Sequence, residues 1–341
     1  MSRVRNSAAP MGPSIDCPAR RRLCALGLAA GAVAAWPIRA RAGTFPSRTV
    51  RLVAGQAAGG QTDTIARMVA IHFASRWGSS VIVENVPGAG GLIAGRAVAR
   101  SVPDGHTLYI GASSNIAWSA LQTPNAGYDP RVAWAPIGRI VRLGFVLAVR
   151  PDLEVANARE FAARIRARPE SLTVATQGEG SNSGRALRMF EHAVGAKVLE
   201  VPYKATVQSV QAVVAGEVDA AFCDLSTALG QGDRLRVLAQ TASRRSPLAS
   251  DVATFKEQGL QHVVVEPWYG LVAPAGTPPD AVAALAAALR AFLTDERVAE
   301  RFKSLAYEII LDTPDEFAAA IRDELHPIGY AAGTPPSMPR R

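Results

Sequence analysis

From Thr49 to Leu311 short apolar runs rich in β-branched residues alternate with longer stretches that repeat apolar residues at helical spacing. "TVRLVAG" (49–55) is followed by a stretch that sets Ile65, Met68, Val69, Phe73 and Trp77 on one helical face, then by "SVIVENV" (80–86) and "TLYIGAS" (107–113). Such alternation restricts the chain to α/β layers with mostly parallel sheets flanked by helices. "RLGFVLAVR" (142–150) reads as a fourth strand, long enough to leave one domain and enter another. A second set follows: "SLTVATQ" (171–177), "KVLEVPY" (197–203), "VDAAFCD" (218–224) and "RLRVLAQT" (234–241), with helices over about 183–194 and 206–215. The apolar "VVVEPWYGLVAPAG" (263–276) marks a return. Helices near 280–293 and 296–305, a strand "YEIIL" (307–311) and a last helix complete the chain. That last helix opens with Thr313-Pro314-Asp315-Glu316, a capping box with proline at its first position.

Two crossings, near 145 and 265, predict a discontinuous first domain (43–144 plus 266–332) and a second inserted between (145–265). The 341 residues suffice for both. Such a pair encloses a cleft and hinges around a ligand. The Pro-rich residues 333–341 read as a disordered tail.

Residues 1–42 read differently. Arg20, Arg21 and Arg22 precede a small apolar run from Leu23 to Ala35, and Ala40-Arg41-Ala42 supplies an A-x-A pattern, so this is read as an export signal cleaved after Ala42. The run is too short to span a bilayer. The arginines fit the general or the twin-arginine route equally, and Met11 is an alternative start. Cleavage removes seven arginines against one aspartate, so the formal charge of +8 falls by six to +2. No basic stripe with interleaved aromatics remains, which argues against a nucleic-acid partner. Cys17 and Cys24 leave with the signal, and Cys223 reads as a buried inert thiol.

Four strand-end loops carry the candidate chemistry. In "AGQAAGGQTDTIARMVA" (54–70), Gly59 and Gly60 free backbone N–H groups to face outward, and Thr62 or Asp63 is placed to cap the helix. A helix start of this kind attracts anions without a charged side chain. The stretch lacks a P-loop lysine. "ENVPGAGGLIAGRAVA" (84–99) fails the dinucleotide fingerprint at Ile93, so its glycines read as packing residues. "GASSN" (111–115) ends a strand with two hydroxyls and an amide, and "QGEGSNSG" (177–184) sets Ser181, Asn182 and Ser183 before a helix. Asn182 stands where a nucleophile elbow needs serine. Strand ends are where open α/β sheets bind ligands, and amides and hydroxyls from two lobes suit a small carboxylate.

Catalytic patterns are thin. The histidines (72, 106, 192, 262, 326) have no metal-ligand spacing, and no metal or cofactor is expected. Asp219 and Asp224 bracket a strand at odd separation, which puts them on opposite faces and argues against a paired-carboxylate site. Asp224 reads as a hydrogen-bond acceptor for a ligand or as a cap. A hydrolase or lyase using Asp224 or Ser181 is the reading from another class.

"FPSRTVRL", "GGQTDTIAR", "VIVENVPGAGG", "VPDGHTLYIG", "APIGRI", "VPYK", "GEVDAAFCD" and "PWYGLVAPAGTPP", in this order, resemble the periplasmic receptors of tripartite tricarboxylate transporters, the Bug-type receptors, along nearly the whole mature length. The resemblance implies a two-domain Venus-flytrap fold, a monomeric periplasmic protein without catalysis, and capture of a small organic acid. It implies membrane permease subunits as partners, or alternatively a sensor protein. It places ligand contacts at Gly59, Gly60, Thr62 and Asp63, at Ser113, Ser114 and Asn115, at Gly180, Ser181, Asn182 and Ser183, and at Asp224. On that basis Thr62→Ala and Ser181→Ala are expected to weaken binding and leave the unliganded melting temperature nearly unchanged. The sequence departs from the family pattern at Gly55-Gln56-Ala57-Ala58, where an aromatic flanked by prolines is usual. It departs also at Asn115-Ile116, at Ser181-Asn182-Ser183-Gly184 and at Pro327. Gln56 joins the ligand-binding set as an amide able to donate and accept.

Overall fold

The computed structural model describes residues 45–325. The expected export segment 1–42 and tail 333–341, with Pro327, lie outside the described residues. Among the described residues no helix is long and apolar enough to cross a membrane.

Two sheets form. The six-stranded sheet has the order β11-β4-β10-β3-β1-β2, from β1 (Val50–Ala54), β2 (Val81–Asn85), β3 (Thr107–Ala112), β4 (Trp134–Leu143), β10 (Trp268–Pro274) and β11 (Tyr307–Ile309). The five-stranded sheet has the order β7-β6-β8-β5-β9, from β5 (Phe145–Val149), β6 (Thr173–Thr176), β7 (Leu199–Pro202), β8 (Ala220–Asp224) and β9 (Arg236–Gln240). The sheets are mixed rather than mostly parallel. Parallel pairs occur where a helix carries the chain back over the sheet, at β1–β2, β1–β3, β6–β7 and β6–β8. Strand β10 instead returns antiparallel between β3 and β4, and β5 runs antiparallel to both β8 and β9.

The helices follow the apolar periodicity. Helix α1 (Gln61–Trp77) buries Ile65, Val69 and Phe73 and stops at Gly78, whose φ of 62° is the left-handed form that closes a helix. Helix α2 (Leu92–Ala99) follows β2. After β3 a wide π-helical turn, Ser114–Trp118, leads into the short α3 (Ser119–Gln122). In the second set, α4 (Ala158–Ala167), α5 (Asn182–Val194), α6 (Thr206–Val214) and α7 (Leu225–Leu229) cover the five-stranded sheet. Helices α8 (Pro279–Leu293), α9 (Glu296–Ser304) and α10 (Pro314–Leu325) close the chain. The capping box at α10 forms as expected: the Glu316 N–H donates to Thr313 Oγ1 at 3.2 Å, and the Thr313 N–H donates to the Glu316 carboxylate at 2.7 Å.

Both faces of each sheet are covered. Leu52, Phe73, Ile110, Phe292 and Phe302 pack on one face of the six-stranded sheet, and Val53, Tyr109, Trp134, Trp268 and Phe317 on the other. In the five-stranded sheet Phe161, Phe190, Phe222 and Phe255 fill one side, and Val146, Val210, Cys223 and Leu225 the other. Each fully buried side chain of this size contributes roughly 1.5–3 kcal/mol by leaving water.

The strand expected at 142–150 is two strands broken at Gly144. A Cβ there would lie 2.9 Å from Leu225 Cδ2, and the Gly144 carbonyl accepts the Leu225 N–H at 2.8 Å, so the bend needs a residue without a side chain. Strand β4 begins eight residues before the expected start because Pro136 and Gly138 mask its apolar pattern. Its pairing with β10 shifts register twice. The apolar run at 263–267 stays outside β10: Val263 and Val265 are buried, and the Val265 N–H donates to the Thr241 carbonyl at 3.0 Å.

Candidate functional site

The first loop is stiffer than its glycines suggest. Gly60 is the N-cap of α1 and no side chain caps it, so the expected cap by Thr62 or Asp63 does not form. Both residues lie in the first helical turn, are buried, and fold back onto the loop. Thr62 Oγ1 donates to Gln56 Oε1 at 2.8 Å, and Asp63 Oδ2 accepts from the Gly59 N–H and from Arg67 Nε, each at 2.9 Å. Arg67 beside it holds the Asp63 carboxyl below its ordinary range, with the Gly59 N–H adding to the effect. The Gln56 carbonyl accepts Asn85 Nδ2 at 3.2 Å. Gly59 itself has φ of 82°, the region glycine tolerates. The loop's shape is therefore fixed by its own side chains.

The hydroxyl loop after β3 divides its labour. Ser113, buried, donates through Oγ to Asn182 Oδ1 at 3.1 Å, which joins it to the loop of the other sheet. Ser114 is half-buried and begins the π-helical turn. Asn115 is turned inward. Its amide packs on the backbone of Gly91 and Gly111, its carbonyl accepts the Tyr128 hydroxyl at 2.6 Å, and its buried Oδ1 lacks a hydrogen-bond partner. A Cβ on Gly91, where φ is 96°, would lie 2.7 Å from Asn115 Nδ2. Of the glycines of 84–99, Gly88, Gly91 and Gly95 are packing residues, as expected; Gly90 lies in open space and supplies a turn with φ of 64° instead.

In the second loop Ser181 is the N-cap of α5: its Oγ accepts the Gly184 N–H at 3.0 Å and donates to the Gly178 carbonyl at 2.6 Å. Ser183, fully buried, donates to Gln177 Oε1 and accepts the Gln177 N–H, both at 2.8 Å. Gly184 is required by crowding, since a Cβ there would collide with the Gly178 carbonyl. The expectation that Ser181→Ala leaves the unliganded melting temperature nearly unchanged is corrected by this cap. The Gly180 carbonyl accepts Ser119 Oγ at 2.5 Å, a second bond between the sheets' loops.

Asp224 ends β8 and is buried. Burial pushes its carboxyl up to about 6, against hydrogen bonds from Gln61 and Thr206 that pull the other way. Gln61 Nε2 donates to Asp224 Oδ2 at 3.1 Å, and the Tyr269 hydroxyl donates to Gln61 Oε1 at 3.0 Å. Burial raises the Tyr269 hydroxyl far above its ordinary value and Tyr307 to about 12, each helped by the Asp224 charge. Asp219, at the other end of β8, pairs with Arg150 at 2.9 Å and with Thr173, and takes no part in this cluster.

One further pair spans the sheets. Arg185 on α5 ion-pairs with Glu324 on α10, and its guanidinium lies 5.0 Å from the centre of the Trp118 ring. Burial draws Arg185 down to about 10.

The structure therefore joins the two hydroxyl loops through Ser113 and Asn182, ties Gly180 to Ser119, and ties the first loop to Asp224 at the end of β8. It commits Thr62, Asp63, Ser181 and Ser183 to holding those loops in shape. Gln61, Tyr269, Ser119 and Arg185 were missed by the sequence reading. Gln61 stood inside the first quoted motif, and a polar side chain between two motif positions was the available signal. Among the described residues no three of His, Cys, Asp and Glu gather into a metal-holding group. His106 is buried against Ser47 and Asp104, and His72 packs edge-on to Phe292. A surface groove of about 480 Å³ beside Trp134 and Ile321 shares no residue with these loops.

The model of the tripartite tricarboxylate transporter family receptor matches residues 65–330. Protein BugT of Bordetella pertussis is 30% identical over 287 residues, covering 83% of this chain and 88% of that protein. Among solved structures, MatC from Rhodopseudomonas palustris with bound malate aligns with a TM-score of 0.74 at 31% identity, over 82% of this chain and 97% of that one. A second protein from that organism, with adipate, aligns with a TM-score of 0.74 at 28% identity, over 82% and 95%.

Proposed function

This chain belongs to the tripartite tricarboxylate transporter receptors, with their two-domain periplasmic-binding-protein fold, and from that premise we propose how it works. It is a periplasmic receptor that captures a small organic acid between its two sheets; two similar proteins carry malate and adipate. The observation that carries this reading is the seam itself. Strand-end loops of both sheets meet there through Ser113–Asn182, Ser119–Gly180 and Gln61–Asp224. Of the described residues, 45–144 with 266–325 form one lobe and 145–265 the other, bending about Gly144 and about Glu266–Pro267. Ligand bridging both lobes stabilises the closed state in proportion to its differential affinity. The half-buried Gln56, Ser114 and Asn182, with Asp224, supply the contacts; the outward amides expected at Gly59 and Gly60 are instead taken by the Asp63 carboxylate and the Ala57 carbonyl.

The protein acts by binding alone. The Ser181 hydroxyl is engaged as a cap and bonds within its own loop, not to the Asp224 carboxylate. It is exported, loses residues 1–42, and hands its ligand to membrane permease subunits of a tripartite transporter. A thermal-shift screen against mono-, di- and tricarboxylates tests the reading. At one hundred times Kd a ligand adds about 2.7 kcal/mol to stability and should be recovered unaltered. Turnover of any hit, or stabilisation by no acid, contradicts it.

A further inference from the structure

Gln61 occupies the one position of the first loop whose side chain reaches the other sheet. Its amide cannot turn over freely. The Tyr269 hydroxyl, kept protonated by burial, has a proton to give, and it gives it to Gln61 Oε1 at 3.0 Å. That bond fixes Oε1 toward β10 and leaves Nε2 toward β8, where it donates to Asp224 Oδ2 at 3.1 Å. The carboxylate receives its hydrogen bonds from side chains with no charge, Gln61 and Thr206, and no Lys, Arg or His of the described residues pairs with it. Tyr269, Tyr307 and Cys223, the other titratable groups that sense Asp224, are un-ionised at neutral pH.

A carboxylate in that state repels a second carboxylate and attracts a hydrogen-bond donor. We infer that Gln61 is a specificity-determining positioning residue: by aiming Asp224, it makes the cleft prefer acids that carry a hydroxyl or ammonium group over plain dicarboxylates of the same length. The inference rests on the carboxylate-receptor reading and deepens it. Shortening Gln61 lets the Tyr269 hydroxyl and the Asp224 carboxylate find other partners, so the donor preference relaxes even where the acid is still held.

Isothermal titration of the full chain with succinate, malate and aspartate tests this, since the three share a four-carbon diacid frame and differ in having no added donor, a hydroxyl or an ammonium. Wild type should bind malate or aspartate at least fivefold more tightly than succinate. Gln61→Ala and Gln61→Met should each shrink that ratio at least threefold. Gln61→Met keeps the chain length without either hydrogen bond and guards against a packing artefact, and melting curves establish that both variants fold. A smaller wild-type preference, or a ratio that survives in the variants, overturns the inference and leaves the receptor reading standing. Failure of every acid in this set and in the wider carboxylate screen removes both.

Discussion

Asp224 shows how one residue's surroundings outweigh its ordinary chemistry. Its burial at the end of β8, among hydroxyls and an amide, holds the carboxyl near 6, above the value of about 3.9 expected in an unfolded chain. Between pH 4 and 6 the folded protein therefore keeps a proton that the unfolded chain has lost, and this group's contribution to stability falls as pH rises through that window. Asp224→Asn abolishes the fall while keeping an oxygen for Gln61. In urea titrations the variant should gain on wild type by on the order of 2–3 kcal/mol from pH 4 to 6 and no further above it. Parallel curves for the two proteins would refute the assignment. Asp63 behaves in the opposite sense, because Arg67 and the Gly59 N–H favour its charge.

At the scale of elements, the start of α5 joins stability to the site. Removing its cap with Ser181→Ala should cost about 1 kcal/mol in chemical denaturation without any ligand present. Unchanged unliganded stability would mean that the cap contributes nothing. The same loop shows what the sequence disclosed. Strands with uninterrupted apolar character were legible within one or two residues, as with β1, β3 and β8, and so was the Thr313–Glu316 box of α10. Strand β4 was not, because Pro136 and Gly138 remove the apolar alternation that marks a strand, and its partner β10 supplies the pairing that keeps it extended. The loops themselves were legible as Gly-, Ser- and Asn-rich strand ends. Which hydroxyl faces outward was not. Thr62, Ser181 and Ser183 choose partners inside their own loops, and that choice depends on the turn geometry more than on residue type. Gln61 escaped notice for the converse reason, since its partners Tyr269 and Asp224 lie 208 and 163 positions away in the chain.

For the molecule as a whole, Arg185 ties helices of the two sheets together. Glu324→Gln leaves its guanidinium buried against Trp118 without a counter-charge, at a cost of about 2 kcal/mol. That lowers the closed-to-open ratio roughly thirtyfold. Small-angle scattering should then give a larger radius of gyration for the unliganded variant than for wild type. Equal radii would show that the pair does not hold the lobes. The bonds Ser113–Asn182 and Ser119–Gly180 carry a related consequence. Each uses a donor and an acceptor of the kind an organic acid would otherwise occupy, so an arriving solute must outcompete the protein's own side chains. Its measured affinity is then an exchange energy, the new contacts less the old. Weak or poorly matched acids fail that exchange even when abundant.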